Sequence, residues 1–454
     1  MAAWSPGTWG PVPSWPAIRP ARSSRTSTGC DKGSTMATNG LFSRERALKV
    51  NQWALLLVLV TLIATPLRSH AVVAVLMLYS TGYLVANRAS LAVTRFDWAV
   101  VGVLSLLLLS RVPIFVIDDY SSRYLSPGFH MVAVVPIYLM LRHLLTPLDT
   151  RQVRGYLEWG LVIGTLGALA VALYQTQLQG AGRADGFLFS INLGYLSCAM
   201  AFLAASLIRG SHRKAWLLAA ALAGVITCLL TLARGAILAV PLLLILLLLL
   251  NADRLGWKAI TASLVAMVTL ALVSYATLPS VERRVAYTVD EFTNIAQGDI
   301  EAAVSSGGRL QLWTAASHAF LARPLVGLSY DEREAQIAEL VEQGVLTDWV
   351  LGVGRGHAHS QYFEMAATGG VLGLIALLGY LVAPAIYHWR LYRRDRSNAW
   401  AQVALVFTAG FAIYSLTEAA IHHEMMTTFY AYMQVVLLAL ALCHRHGVSS
   451  SRGT

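Results

Sequence analysis

The chain is dominated by apolar blocks, each close in length to the hydrocarbon core of a membrane. Hydrophobic residues make up 56% of its 454 residues and charged residues only 13%. A soluble domain of this length cannot bury so much apolar side chain, whereas a bilayer accepts it as helices of roughly 20 residues. The sequence therefore predicts an all-α polytopic membrane protein with about twelve transmembrane helices. The blocks cover residues 48–66, 70–87, 97–117, 128–145, 157–178, 187–208, 215–232, 235–250, 258–278, 359–388, 400–420 and 424–443.

Lysine and arginine are abundant in every second connection between these blocks. The alternate connections carry little beyond Arg68, Arg123, Arg183 and Arg234. Because basic residues concentrate in cytoplasmic loops, the rich connections and both termini are predicted to be cytoplasmic. This topological signal and the attraction of anionic headgroups explain the net charge of +10, so no nucleic-acid partner is predicted. The rich clusters are Arg44/Arg46/Lys49, Arg88/Arg95, Arg142/Arg151/Arg154, Arg209/Arg213/Lys214, Arg254/Lys258, Arg390/Arg393/Arg394/Arg396 and Arg445/Arg452.

The predicted topology divides the chain into five parts. The first is a cytoplasmic tail whose start, rich in Pro, Gly, Ser and Trp, is expected to be disordered, with Met36 as the alternative natural start. The long connection is predicted to lie on the opposite side of the membrane. The parts are the tail (1–47), helices one to nine (48–278), the loop module (279–358), helices ten to twelve (359–443) and a cytoplasmic tail (444–454).

The loop module has helical character of its own. Pro279 closes the preceding span, and VERRVAYTVDEFTNIAQ after it is predicted to be a helix. SSGGR is predicted to be a flexible hinge, followed by an amphipathic helix from Arg309 to the stop at Arg323-Pro324. An acidic helix is expected at Asp331–Gln343. The apolar face of the amphipathic helix is predicted to comprise Leu310, Trp313, Ser317 and Phe320.

The polar pair His359-Ser360 begins the tenth predicted span, in HSQYFEMAATGGVLG, and His359 is predicted to lie in its first helical turn. His359, Gly370 and Gly373 are predicted to share a helical face with Phe363 and Ala366, so that the glycines allow close packing. The helix N-terminus disfavours an imidazolium, and a neutral ring can accept a proton as a general base. The alternative is an interfacial histidine that anchors the helix. His357 is assigned to the loop.

Arginines on the same side of the membrane are candidates for binding a diphosphate. Residues 215–250 are too long for one span, so Arg234 is expected at the tip of a hairpin, as a phosphate ligand or as a snorkelling residue. Arg309 follows two glycines whose N–H groups could hold an anion beside its guanidinium; the alternative is a solvated surface arginine. Weaker candidates of the same kind are Arg283, Arg284 and Arg355. Several arginines and one neutral base suit a diphosphate leaving group and a hydroxyl nucleophile.

Metal and nucleotide chemistry are not predicted. Asp118-Asp119 is interpreted as a polar cap of the third span, and Glu418 with His422 as interfacial capping, with His423 and Glu424 beside them. Two or three ligands without a convincing partner do not make a zinc site. The chain has no Walker A sequence, no nucleotide-binding glycine fingerprint and no serine elbow. We therefore predict no metal and no cofactor, and the energy must arrive with the substrate.

Two motifs resemble the signature of the O-antigen ligase family and its relatives, the O-antigen polymerases and bacterial O-linked oligosaccharyltransferases. They are GGRLQLWTAASHAFLARPLVGL and HSQYFEMAATGGVLG. The family pattern is His, then Asn, Ser or Gln, nine residues, and Gly-x-x-Gly. His359, Ser360, Gly370 and Gly373 match it, although Ser360 stands where Asn is frequent, and Thr368 stands where an acidic residue is often found.

The resemblance also implies a fold, a reaction and a site. Arg309 and Arg234 match family arginines by their Gly-Arg and Arg-Gly contexts. The implied fold is that of GT-C-type glycosyltransferases. The implied enzyme is a metal-independent inverting glycosyltransferase of the bacterial inner membrane, which takes a polysaccharide from undecaprenyl diphosphate and joins it to lipid A–core. His359 would be the base, and the two arginines would hold the diphosphate. Its partners would be this lipid-linked donor, the lipid A–core acceptor and membrane lipids.

Three other functions stay open. A polymerase would use another lipid-linked glycan as acceptor, and a protein O-oligosaccharyltransferase would use a serine or threonine side chain. A transporter with a polar external gate is the non-enzyme reading, but it predicts broken helices in matching halves of the chain, which the sequence does not contain.

Overall fold

The computed structural model describes residues 40–277, 279–352 and 356–451, and every regular element in them is helical. Arg355, Met36 and most of the N-terminal tail lie outside the described residues. The helices are α1 (Arg44–Ile63), α2 (Ser69–Ala86), α3 (Arg95–Ile117), α4 (Ser126–Val132), α5 (Val135–Leu144), α6 (Asp149–Leu173), α7 (Ser190–Leu207), α8 (Lys214–Leu230), α9 (Arg234–Leu250), α10 (Ala252–Thr277), α11 (Pro279–Ala296), α12 (Val304–Ala322), α13 (Tyr330–Glu342), α14 (Gln361–Arg394), α15 (Ala399–Thr417) and α16 (Glu424–Ser451).

Within the described residues, nine helices are long and apolar enough to cross a membrane. They are α1, α2, α3, α6 with the π-helical turn that extends it to Leu178, α7, α10, α14, α15 and α16. The remaining predicted blocks correspond to the shorter apolar helices α8 and α9 and to the pair α4 and α5. The all-α, multi-pass prediction is confirmed. The number of twelve crossings stays a prediction.

Polar contacts gather the connections at two ends of the helix bundle. At one end, which we call the basic end, Arg44 binds Asp149, and Arg254 donates to the carbonyl of Arg396. This end joins connections 87–94, 145–148, 208–213 and 395–398, which neighbour most of the basic clusters. The other end, the loop end, joins connections 118–125, 231–233, 356–360 and 418–423 to helices α11–α13. Successive connections therefore alternate between the ends, as expected of consecutive membrane crossings.

The membrane-length helices differ widely in how far the rest of the protein buries them. Helix α16 is the most enclosed of the nine, with 94% of its most apolar stretch buried, whereas no residue in the corresponding stretch of α10 is buried. Close backbone packing elsewhere depends on small residues, as membrane helices require. At Gly164 in α6, for example, a Cβ would lie 2.6 Å from the carbonyl oxygen of Leu59 in α1.

Helix α14 is broken at Gly370, where φ is 54° and ψ is −147°. The α12–α13 connection fills the break. The N–H of Val371 donates to the carbonyl of Pro324 at 2.7 Å, and the N–H of Leu328 donates to the carbonyl of Ala367 at 2.8 Å. The backbone groups that the break releases are thus satisfied by the loop module, as burial demands.

This break corrects the predicted helical face. His359 lies before α14 with φ +47°, Ser360 is the N-cap, and Gly370 interrupts the helix, so His359 does not share a continuous face with Gly370 and Gly373. The glycines still allow close approach. A Cβ on Gly370 would lie 2.3 Å from the Pro324 carbonyl oxygen, and a Cβ on Gly373 would lie 2.5 Å from that of Met365.

Two predictions for the loop module also need correction. The SSGGR segment (305–309) is not a hinge, because it forms the first turns of α12. The predicted apolar face of α12 is only partly right: Trp313 is half-buried and stacks on Phe363 of α14, but Leu310 is exposed. The fully buried residues Gly308, Leu312 and Ala315 were not predicted. Leu312 and Ala315 pack against Ile337 and Leu340 of α13, and Gly308 lies against the ring of Trp349. Helix α12 does end at Ala322, just before the predicted stop.

Replacing Gly370 by alanine should destabilise the fold. A left-handed, glycine-type conformation costs an alanine about 1–3 kcal/mol, and the new Cβ would also meet the Pro324 carbonyl. We expect a lower midpoint of thermal unfolding in detergent. Gly102→Ala in α3 is the matched control, because nothing lies within 4 Å of its added Cβ. Equal midpoints for the two variants would contradict the importance of the break.

Candidate active site

The turn before α14 is held in a strained conformation by several hydrogen bonds. His359 has φ +47°, which a non-glycine residue adopts only when its surroundings enforce it. The N–H of Ala358 donates to Glu364 Oε2, and the carbonyl of Ala358 accepts from Trp313 Nε1, both at 2.9 Å. The N–H of His359 donates to His357 Nδ1 at 3.2 Å. Helices α12 and α14 thus fix the position of the His359 ring.

Glu418 lies at the centre of a histidine cluster. Its side chain is 2% exposed, and its carboxylate oxygens lie 3.4 Å from His359 Nδ1, 3.4 Å from His357 Nε2 and 3.7 Å from His423 Nε2. Burial favours the neutral acid, but hydrogen bonds from His359 and His423 prevail and hold the carboxyl pKa far below its usual range. Glu418 is therefore a buried carboxylate with imidazole partners.

This cluster revises two readings of the sequence. Glu418 ends α15, but it does more than cap it, and its imidazole partners do not include His422, the residue predicted by i,i+4 spacing. His357 belongs to the loop as predicted, yet its ring faces the same carboxylate as His359. Its contacts with His357 and His359 were missed because these two residues lie about sixty positions away along the chain.

His357, His359 and Glu418 form the one group of potential metal ligands found among the described residues. The ligand atoms of His357, His359 and Glu418 all lie within 4.8 Å of one another. His357 Nδ1, however, accepts the His359 N–H, so the neutral ring carries its proton on Nε2 and donates it towards Glu418. Burial lowers the pKa of His357 to about 4, which keeps that ring neutral. Ligation through Nε2 would require this arrangement to be broken. The cluster is thus built as a hydrogen-bonded network.

A second buried carboxylate, Glu364, connects the site to the loop module. Arg333 of α13 contacts its two oxygens at 3.1 and 3.2 Å. Arg111 of α3 binds the carbonyl and hydroxyl oxygens of Thr368, one turn further along α14. Thr368 stands where the family pattern often has an acidic residue, and both of its oxygens accept hydrogen bonds from Arg111. An acidic residue near the start of an apolar span was the available signal for Glu364.

Arg234 is the first residue of α9 and lies at the loop end, as the hairpin prediction required. Its Nη1 contacts Glu291 Oε2 at 2.5 Å, and its guanidinium lies 5.3 Å from the ring centre of Tyr287. Burial opposes ionisation of Glu291, but the bonds from Arg234, Ser305 and Ser306 lower its pKa to about 2. Arg234 Nη2 is buried and has no hydrogen-bond partner among the described residues.

Arg284 lies on the same aromatic ring. Its guanidinium is 5.5 Å from the ring centre of Tyr287, and its Nε is also buried without a partner in the described part of the chain. Burial and the neighbouring charge of Arg234 lower the pKa of Arg284. Two arginines with unused donors therefore flank one tyrosine, which is an arrangement able to accept an anion.

Arg309 is half-buried in α12 and forms no hydrogen bond or ion pair with any described residue. It lies within electrostatic range of the Tyr195 hydroxyl, which Glu418 also influences. That hydroxyl is 2.7 Å from Thr417 Oγ1, and Gly235 packs against both, since a Cβ there would lie 2.2 and 2.1 Å from them. Gly235, which follows Arg234, is thus in contact with Thr417, which precedes Glu418.

The side chains of the other predicted site residues form no hydrogen bond or ion pair with those of His359, Arg234, Arg284 or Arg309 in the described part of the chain. Arg283 is exposed and its Nε donates to the carbonyl of Pro279 at 3.1 Å. The hydroxyl of Ser360 is buried and donates to the carbonyl of Ser415 at 3.3 Å, which joins α14 to α15. Asp118 contacts Arg123 and the Tyr124 hydroxyl, as a polar cap does. The structure therefore gathers His359, Arg309, Arg234 and Arg284 at the loop end.

One family model matches the chain. Residues 219–378 match the model described as O-antigen ligase. The matched segment contains Arg234, helices α9 to α13, His359 and both motif glycines. A comparison with curated proteins finds no match. The resemblance inferred from the motifs is confirmed, and it implies a glycosyltransferase-like membrane enzyme of the ligase and polymerase type.

Replacing Glu291 by glutamine should destabilise the loop end in a pH-dependent way. Breaking a buried ion pair costs about 3 kcal/mol, because the remaining charge is left uncompensated. Folding lowers the Glu291 pKa from 4.5 to about 2, so its stabilisation is complete above pH 4.5 and is lost as the pH falls through 2. Thermal unfolding of both proteins should therefore differ most at pH 7 and less at pH 3.

Asp290→Asn is the matched control, because the neighbouring carboxylate is exposed. A gap between wild type and Glu291→Gln that stays constant from pH 7 to pH 3 would contradict the ion pair, as would an equal loss in the control.

Proposed function

We propose that this protein, through the O-antigen ligase domain at residues 219–378, transfers a glycan from undecaprenyl diphosphate to a sugar hydroxyl of lipid A–core. The observation that carries the proposal is the convergence at the loop end of one fixed histidine and several arginines with unused donors. A hydroxyl acceptor needs a base, and a diphosphate leaving group needs fixed positive charge.

His359 acts as the base in this proposal. Glu418 faces its Nδ1, so Nε2 is the nitrogen available to the acceptor. The acceptor hydroxyl gives its proton to Nε2, and its oxygen attacks the anomeric carbon. The bond from that carbon to the diphosphate oxygen breaks, and the electron pair leaves with the diphosphate. A single direct displacement inverts the anomeric configuration and leaves no glycan attached to the enzyme.

Arginines hold the leaving group. Arg309 has no partner among the described residues and so can bind a phosphate oxygen without losing a bond. Arg234 keeps its ion pair with Glu291 and offers Nη2, while Arg284 offers Nε. Guanidinium groups bind phosphate through parallel N–H donors, and their charge is permanent. Because they supply the positive charge at the leaving oxygen, no step of this mechanism requires a divalent cation.

The bacterial inner membrane is the proposed location, with the loop end at the periplasmic face and both termini in the cytoplasm. The support is the concentration of lysine and arginine near the basic end, which the positive-inside rule assigns to the cytoplasm. In this orientation the polyprenyl chain stays in the bilayer while its diphosphate reaches the site at the membrane surface. The donor brings the energy of its phosphate ester, in keeping with the predicted lack of a cofactor.

Alanine variants of His359, Arg309 and Arg234 should test this mechanism directly. Loss of a general base lowers the rate about 10²–10⁴-fold. Loss of one donor to the developing negative charge lowers it about 10²–10³-fold. The assay measures transfer by the purified full-length protein, from undecaprenyl-diphosphate-linked glycan of the host membranes to the host lipid A–core, with EDTA present. His318→Ala and Arg68→Ala should retain wild-type rates.

Full activity of His359→Ala, or loss of wild-type activity in EDTA, would contradict the mechanism. The identity of the acceptor that receives the glycan distinguishes the related functions. Transfer to a second lipid-linked glycan would identify a polymerase, and transfer to a serine-containing peptide would identify a protein O-oligosaccharyltransferase.

A further inference from the structure

Glu418 and the residues around it show how the proposed base is oriented. A histidine acts as a base only through a nitrogen that carries no proton, so its tautomer must be fixed. His359 Nδ1 faces Glu418 Oε2 at 3.4 Å, and the strained turn at φ +47° holds the ring there. A carboxylate can only accept a hydrogen bond, so Nδ1 must carry the proton.

We infer that Glu418 is a positioning residue, which fixes His359 with its proton on Nδ1 and leaves the Nε2 lone pair free for the acceptor hydroxyl. The inference rests on the proposed function and deepens it. Glu418 touches neither substrate in this account. It acts through His359, by orienting the ring and by stabilising the imidazolium that forms when Nε2 takes the proton.

The other partners of Glu418 keep it from becoming the base itself. Oε1 lies 3.4 Å from His357 Nε2, 3.7 Å from His423 Nε2 and 3.1 Å from the N–H of Ala419. With donors on both oxygens, protonation of the carboxylate would forfeit several bonds. The proton from the acceptor therefore ends on His359 Nε2, while the Nδ1 proton stays between the two side chains.

The remaining charged groups near the cluster act on it from neighbouring elements. His422 lies beside His357, with ring centres 5.7 Å apart. From α14, Glu364 is neutralised by Arg333 of α13. Arg111 of α3 lies next to them, bound to Thr368, and Arg309 of α12 lies within electrostatic range of the Tyr195 hydroxyl. Glu418 is thus the carboxylate in contact with His359 in the described structure, and its removal should change the basicity of that ring.

The test compares Glu418→Gln with wild type, His359→Ala and the matched control Glu424→Gln. Glu424 is a nearby carboxylate that faces Ser126 and His130 instead. Transfer rates are measured against pH and donor concentration in the assay described above. For Glu418→Gln we expect kcat to fall about 10- to 100-fold, part of the full contribution of the base, with the donor KM within about 2-fold.

The pH profile separates positioning from a structural role. The carboxylate favours the imidazolium, so its loss makes the ring a weaker base. The midpoint of the acid limb should therefore move to lower pH. A protein that is merely less folded would lose rate without moving this midpoint. Glu424→Gln should keep both the wild-type rate and the wild-type midpoint.

Glu418→Asp covers the case in which the glutamine variant does not accumulate in the membrane. It keeps the charge but shortens the side chain, so we expect a reduced kcat with the wild-type midpoint. Wild-type kcat and midpoint in Glu418→Gln, beside an inactive His359→Ala, would overturn this inference alone. A lowered midpoint in Glu418→Asp would also overturn it. A fully active His359→Ala would remove the proposed function and the inference together.

Discussion

The buried contact between Glu364 and Arg333 joins the loop module to the membrane helices, and the proposed chemistry depends on it. Glu364 lies on the membrane helix α14, and Arg333 lies on α13 of the loop module. Glu364 also accepts a hydrogen bond from the N–H of Ala358, one residue before His359. A charge pair removed from water is stable only when its remaining oxygens are satisfied, and here the backbone of the turn before α14 satisfies one of them. The module is therefore held in place by the same carboxylate that shapes the turn.

The bilayer explains why the polar residues are so concentrated. Within the hydrocarbon core, unsatisfied backbone groups are too costly, so the break in α14 persists because the Pro324 and Leu328 backbone groups fill it. Charged side chains collect at the two ends of the bundle, where basic residues dominate one end. The loop end instead combines guanidinium groups with buried carboxylates and imidazoles. This mixture is more suited to binding and proton transfer than to simple anchoring in lipid.

The sequence was sufficient for the class of fold and for the family resemblance, but not for the partners of the candidate site residues. Apolar blocks of membrane length predicted the helices, because the bilayer imposes that length on every span. Length alone also placed Arg234 between two helices. The spacing of His359, Gly370 and Gly373 suggested one continuous face, and this was wrong because a glycine conformation unavailable to other residues breaks the helix. The contacts of Glu418 with His359 and of Glu291 with Arg234 could not be recognised, since each forms only through tertiary packing.

The central claim is that the loop end holds both the base and the diphosphate. A cryo-electron microscopy structure of the full-length protein in lipid nanodiscs with bound undecaprenyl diphosphate tests it most directly. We predict diphosphate density within hydrogen-bonding distance of Arg309 and of Arg234 or Arg284, with His359 Nε2 facing the position of the departing sugar. Diphosphate density elsewhere on the protein, or a His359 ring that faces lipid with no space for a sugar, would contradict the account.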